Sequence, residues 1–495
     1  MKFWDDIINK ATLGSAKMPL RSDDLPEYIK GSIELIEVGE PEDEFLRLAG
    51  LAYQYRQAGS EPVDLNLISQ SPAIDEELPY ATPKSTSIFR TIMSEELHPL
   101  LILWLQQCEL RGVLAEPELI PQLLELATRK KELRKIILKV CGKRGMWLCK
   151  LNPEWDFNTV TDDDDKIWQT GKPEERKELL RKLRVANPSK SIELLQSTWD
   201  SEGANEKAAF LEILRTNLTA FDLAWLENLK EKGQKVNSII QDLLKSIPSS
   251  AIVQQYWNTV KDAITIKTGK ALLGMINKTV IDINENLSIP DSVFKTGIEK
   301  LSSNKQVSDN QHILSQLISS VPPSYWNEHF KENNQKIIEL FQKDKKSAQY
   351  LPALVLGALK FNDVEWMKDL LEHSDKELID SSVGLLIRAL PESVRDTYSL
   401  RYIKQKPQEL IPILIEQDEE WSVELSRAIL KFTANEVYVY NRTFYKPAVS
   451  LIPVKLLDEL DSFTPSEEQK KVYWKTQSDE LSRLLDIKKQ ILQSF

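Results

Sequence analysis

Residues 173–200 read P-E-E-R-K-E-L-L-R-K-L-R-V-A-N-P-S-K-S-I-E-L-L-Q-S-T-W-D. Two prolines punctuate the stretch. Proline lacks a backbone N–H and its φ is preset, so it is best tolerated in the first turn of a helix. The residue before it is pushed out of the α region. Pro173-Glu174-Glu175 therefore starts one helix that ends before Asn187, and Pro188 starts a second that ends near Asp200. Downstream, Ala204–Leu218, Thr219–Lys230 and Gln234–Ile247 form further segments of 12 to 15 residues with only a few residues between them. Helices this short and this close pair as antiparallel hairpins.

A recurrence extends that pattern. Helix ends read L-L-K-S-I-P-S-S at 243–250, L-I-S-S-V-P-P-S at 317–324 and L-I-R-A-L-P-E-S at 386–393. Pro248, Pro322 and Pro391 lie 74 and 69 residues apart. Half of that spacing is about 36 residues, near one helical-hairpin repeat, and no tetratricopeptide consensus is visible. The expected fold is all-α: an α-solenoid of HEAT-like helical hairpins over 158–495, with a helical region over 1–157 that caps the first repeats. Trp199, Trp225, Trp257, Trp326, Trp366 and Trp421 fall near helix ends. They read as core between repeats, or as an aromatic ladder for a partner.

Upstream, the composition changes at G-M-W-L-C-K-L-N-P-E-W-D-F, residues 145–157. Asn152 precedes Pro153, so a helix stops there. Trp147 and Trp155 flank the stop as structural anchors or as anchors for a partner, and the Asn152 amide is placed to bond backbone groups freed at the helix end. Farther upstream, Trp4, Ile7, Ile8 and Ala11 share one helical face that Gly14 closes. Pro41 opens a helix with Glu42, Asp43 and Glu44 in its first turn and a Phe45, Leu48, Ala49, Ala52 stripe, ended by Gly59. Residues 60–86 carry Pro62, Pro72, Pro79 and Pro83 and read as a long surface loop. Helices then follow over Leu97–Arg111, Glu116–Arg129 and Lys131–Lys143.

The last of these is basic. Lys131, Arg134, Lys135 and Lys139 share a face opposite Ile136, Ile137 and Val140. Such a face is either solvated, or docks an acidic partner or nucleic-acid phosphates; a protein partner is the more economical of the last two.

Trp4 to Ser15 (W-D-D-I-I-N-K-A-T-L-G-S), Phe45 to Gly59, L-R-G-V at 110–113 and R-G-M-W-L-C-K-L-N-P-E-W-D-F at 144–157 together resemble an uncharacterised bacterial family. W-Q-T-G-K-P-E-E-R-K-E-L-L-R-K-L-R at 168–184 and L-L-Q-S-T-W-D-S-E at 194–202 fit it too, and E-E-W-S-V-E-L-S-R-A-I-L at 419–430 is the one later match. Members are commonly encoded beside MoxR-type AAA+ ATPases, von Willebrand A-domain proteins and SWIM zinc-finger proteins. The resemblance implies that neighbourhood and no reaction.

Composition narrows the remaining classes. The 495 residues are too many for one compact core. Apolar residues make up 41% and charged residues 28%, and the net charge of −11 disfavours a broad nucleic-acid or anionic-membrane surface. Cys108, Cys141 and Cys149 form no C-x-x-C pair and fit buried thiols in a reducing compartment. The first residues contain no apolar signal core, and Pro99–Leu105 is far shorter than the ~20 residues of a membrane span; a cytoplasmic protein is expected.

Catalytic signatures fail one by one. The P-loop, G-x-S-x-G and H-E-x-x-H patterns are missing from the sequence, and Lys267-Thr268-Gly269-Lys270 lacks the partners of a serine acylase. His98, His312, His329 and His373 are not paired at metal spacing. A calcium loop registered on Asp163 would put Trp168 where glycine is required. Neither metal nor cofactor is expected. The sequence reads as a non-enzymatic scaffold or adaptor that binds protein, with a MoxR-type ATPase or von Willebrand A-domain protein as the partner the resemblance implies. The competing reading is a nucleic-acid-binding or DNA-repair-like HEAT-repeat protein using a concave groove.

Overall fold

A computed structural model describes residues 2–15, 17–33, 39–58, 74–155, 157, 164–271 and 276–495. The protein is all-α, and among the described residues the one paired sheet is a two-stranded hairpin. No helix among them is long and apolar enough to cross a membrane. The chain divides into two compact units, Met1–Asp75 and Glu76–Phe495, where the sequence suggested a division near residue 157.

In the first unit, helix Lys2–Leu13 packs on helix Pro41–Ala58. Ile7, Phe45, Leu48 and Ala52 are buried with Leu20, Leu25 and Ile29 between them. The expected stripe of the second helix is therefore present. That of the first is partial, since Ile8 is 49% exposed. Gly14 adopts φ +95 and its N–H bonds Lys10 O, closing the helix as anticipated. The Gly59 stop lies outside the described residues.

The second unit holds the helical array. Helices Pro173–Ala186 and Pro188–Thr198 form where the prolines place them, and the Asn187 side chain caps the second by accepting from Lys190 N at 3.2 Å. Stacking follows a two-layer pattern: Pro173–Ala186 packs on Ala204–Leu214, which packs on Gln234–Leu244, while Pro188–Thr198 packs on Ala220–Asn228. Each helix buries one stripe, and Leu180, Leu195, Phe210, Leu211, Leu214 and Leu243 meet in one cluster. At its centre lies Arg184, fully buried and bidentate to the equally buried Asp222 at 2.8 and 2.9 Å. The same guanidinium donates to the carbonyls of Leu214, Thr216 and Asn217, pinning the turn between two helices. With a further bond from Nη1 to Ser191 Oγ at 3.2 Å, every nitrogen of the cation has its acceptors.

The 74-residue interval between Pro248 and Pro322 is not two equal hairpins. It contains strands β1 (Ile264–Ala271) and β2 (Ile276–Ile283), antiparallel, with Ile264 opposite Ile283 and Ile266 opposite Ile281. Ile264, Ile281 and Ile283 are buried on one face of the pair. Lys267-Thr268-Gly269-Lys270 is simply part of β1. Beyond the hairpin the helical stack resumes, from Asp309–Ser319 against Leu351–Lys360 to Glu392–Tyr402 against Val423–Asn435. Trp199, Trp326, Trp366 and Trp421 are buried in the array, as core between helices requires; Trp225 and Trp257 are half-buried.

The unit then closes on itself. The long helix Glu468–Gln493 packs on helices Pro83–Ser94 and His98–Arg111. Thr82 Oγ1 donates to Ser494 O at 2.7 Å, Arg483 pairs with Glu95 at 2.7 Å, and the rings of Trp104 and Phe495 lie 6.0 Å apart. The core of residues 81–149 is accordingly one cluster with that of residues 256–491, while residues 168–247 form their own. The early helices, expected over the first repeats, pack on the last helix. Both faces are apolar and neither is stable in water alone. Helix Pro83–Ser94 begins inside the stretch 60–86 that the sequence suggests is a loop. Thr82 caps it by accepting from Ser85 N at 3.1 Å, and the polar Ser85 and Thr86 in its opening turn face inward, with Ser85 Oγ accepting from the buried Trp104 N–H.

Candidate functional site

The candidate site is built on helix Arg134–Leu151, preceded by a 3-10 turn at Lys131–Leu133. Ile137, Val140, Cys141, Gly145 and Cys149 form its buried face. The helix is broken at Gly142, where φ +60 and ψ −157 suit glycine alone, and a Cβ there would meet the Glu76 carboxylate at 2.8 Å and Leu114 Cδ1 at 2.9 Å. Glu76 repairs the break. Its carboxylate accepts from Lys143 N at 3.1 Å and Arg144 N at 2.8 Å, capping the restarted helix from 67 residues upstream. The described end of the segment read as a long surface loop runs beside residue 114: Ala81 N donates to Leu114 O at 2.7 Å.

The restarted segment ends at Leu151, and Asn152 is extended at φ −112, ψ 112 as its following proline dictates. The Asn152 side chain accepts from Glu154 N at 3.1 Å, so the amide serves the freed backbone as expected. Pro153–Trp155 is one 3-10 turn packed on helices Ile120–Arg129 and Arg134–Leu151.

The two tryptophans part company. Trp155 is half-buried against the core beside Leu148 and Phe157, and its indole N–H is buried with no hydrogen-bond partner. Trp147 is half-buried too, but on the opposite side of the helix from Gly145 and Cys149. Lys143, Met146, Trp147 and Lys150, spaced i, i+3, i+4, i+7, make up that outer face; Met146 is 45% exposed and neighbouring Leu151 is 61% exposed.

The basic residues divide as well. Lys131, Lys135 and Lys139 are exposed, whereas Arg134 is half-buried. Its Nε donates to Ala127 O at 2.8 Å, where the preceding helix leaves carbonyls unpaired, and its guanidinium lies 4.8 Å from the Phe157 ring centre. Arg134 thus stitches helix Ile120–Arg129 to the joint, and the exposed face consists of the lysines. Lys139 pairs with Glu109, and Lys143 pairs with Glu77 at 2.6 Å. The hydrogen bond from the Lys143 ammonium holds the Glu77 carboxyl below its usual range. Cys108, Cys141 and Cys149 are all buried, and burial pushes the thiols of Cys108 and Cys141 well above the usual range, so they stay protonated. Of the four acids Asp162–Asp165, the first two lie outside the described residues; Asp164 and Asp165 begin the helix Asp164–Thr170.

What sequence reasoning missed at this site is the break at Gly142 and the role of Glu76. The only signal was a glycine amid helix formers, and nothing local announces a cap 67 residues away. Comparison with curated proteins and with solved structures returns no match. The family model that does match is that of a family of unknown function, DUF5691; it spans residues 6–495, and the chain belongs to that family.

Proposed function

We propose that the protein is a non-enzymatic, HEAT-like helical scaffold or adaptor acting in the cytoplasm, and that the outer face of helix Arg134–Leu151 docks a protein partner. The observation that carries this reading is the half-buried Trp147, set beside exposed Met146 and Leu151 with exposed Lys150 on its own face, and with exposed Lys131 and Lys135 before the break at Gly142, in a chain of net charge −11. Tryptophan is the residue type most enriched among interface hot spots, and it works best when a polar rim excludes water around it. The partner this surface suits is acidic, with an apolar pocket for the indole. Protein is favoured over nucleic acid because Lys139 and Lys143 are already neutralised by Glu109 and Glu77, leaving few cations free for phosphates.

The resemblance noted above makes a MoxR-type AAA+ ATPase or a von Willebrand A-domain protein the first partner to test. Tagged full-length protein should recover one of them from its native host, and the Lys131→Glu/Lys135→Glu variant should not. Recovery of neither by the unaltered protein sinks the partner assignment; equal recovery by the charge-reversed variant sinks the docking face.

A further inference from the structure

A second site lies far along the chain from this face, in the last turn of helix Val364–His373. Asp369, Glu372 and His373 stand at i, i+3 and i+4, so they share one side of the helix. His373 Nε2 is 3.8 Å from Asp369 Oδ1 and 3.8 Å from Glu372 Oε2, and the three donor atoms all lie within 4.8 Å of one another. At 3.8 Å neither contact is a hydrogen bond, so hydrogen bonding among the three does not account for their convergence.

The surroundings fix the two carboxylates. Asp369 Oδ2 accepts from Asn334 Nδ2 at 2.8 Å, Asn334 Oδ1 accepts from Asn327 Nδ2 at 2.8 Å, and Asn327 Oδ1 accepts from the N–H of buried Trp366 at 2.9 Å. Glu372 Oε1 accepts from Tyr398 OH at 2.9 Å. Each carboxylate thus has one oxygen tied by an outer partner and the other turned toward the imidazole. This is how outer-shell hydrogen bonds orient metal ligands. The C-terminal end of the helix adds the negative end of its dipole. The Arg401 guanidinium lies 4.0 Å from the tied oxygen Oε1.

We propose that Asp369, Glu372 and His373 bind a divalent transition-metal cation of the zinc type. A cation at about 2.0–2.2 Å from each donor needs only small rotamer adjustments to draw atoms now 3.8 Å apart together. One imidazole nitrogen among carboxylate oxygens suits zinc and its first-row neighbours, whereas calcium and magnesium take oxygen-only shells. Three protein ligands leave a coordination position for water on the side where Glu372 is 37% exposed. The sequence scan missed the site because it sought paired histidines, and this constellation contains only one.

The test is calorimetric titration of chelator-stripped full-length protein with zinc chloride, repeated with magnesium. One zinc per chain is expected, with no magnesium binding at comparable concentration. His373→Ala and Asp369→Asn should abolish the site, and Tyr398→Phe, which leaves all three ligands in place, should weaken it ten- to a hundred-fold. His312→Ala should leave it unchanged. Melting curves without metal establish that each variant is folded. Absence of stoichiometric zinc binding, or unaltered affinity in His373→Ala or in Tyr398→Phe, overturns the proposal; the first result would mean that the imidazole is there only as an ion-pair partner.

Discussion

Substituting Asp222 by alanine tests the array where it is most exposed to failure. Arg184 and Asp222 are both 0% exposed, so the variant leaves a guanidinium inside the protein without its counter-charge. Removing one partner of a buried pair costs about 3–5 kcal/mol, against a total stability on the order of 5–15 kcal/mol. The loss includes the bond that Asp222 Oδ2 accepts from Thr219 N at 2.7 Å, which caps the following helix. Because residues 168–247 have a core separate from that of residues 81–149 and 256–491, the damage should be local. Hydrogen exchange read by mass spectrometry should speed up by at least a hundred-fold across 168–247 and change little in helices His98–Arg111 and Glu468–Gln493. The double variant Arg184→Met/Asp222→Leu removes both charges and should recover part of the loss. A stability change below about 1 kcal/mol, or exchange rising equally along the whole unit, would refute this reasoning.

Three further perturbations address other parts of the account. Glu76→Ala removes the cap from the restarted helix and should cost roughly 1–2 kcal/mol by chemical denaturation; an unchanged midpoint would show that the break at Gly142 needs no cap. Lys360 is pushed down to about 8 from 10.5, first by burial and then by Lys245. Below that range it is charged in both states, and between about 8 and 10.5 only the unfolded chain holds the proton, so stability should rise with pH across this window. Lys360→Met should flatten that rise relative to the unaltered protein, and parallel profiles would contradict the assignment. Residues 164–495 produced alone should aggregate, because helix Glu468–Gln493 loses the cover of helices Pro83–Ser94 and His98–Arg111; a soluble fragment with unaltered melting would argue against closure.

Much of this architecture is legible in the residues themselves. Pro41, Pro173 and Pro188 start helices where they stand, and Gly112 ends one in the left-handed region because backbone sterics act locally. The strands at 264–283 are also readable, since I-T-I at 264–266 and I-D-I at 281–283 alternate with period two. Their helical neighbours mask that signal. Closure of the unit was not readable: Thr82 and Ser494 are 412 residues apart, and an apolar helix face does not say which other face covers it. The same limit applies to the candidate site. The helix stop at Asn152 follows from Pro153, while the separation of Trp147 from Trp155 depends on which neighbours fill the space around each ring. Arg134 shows the difficulty from the other side, since its place in the helical pattern matches that of the lysines while carbonyls seven residues back draw it inward.

The central claim is that Trp147 serves binding and Trp155 serves packing. It is tested most directly by measuring melting and binding on both alanine variants, with the purified MoxR-type ATPase and von Willebrand A-domain protein of the same genome as ligands. Trp147→Ala should melt close to the unaltered protein and lose at least about 2 kcal/mol of binding, some thirty-fold in affinity. Trp155→Ala should melt markedly lower, through loss of a large part of the roughly 3–5 kcal/mol that a buried tryptophan supplies, while its folded fraction still binds. If Trp147→Ala instead unfolds the protein, or binds as tightly as the original, the docking face is not where this account puts it.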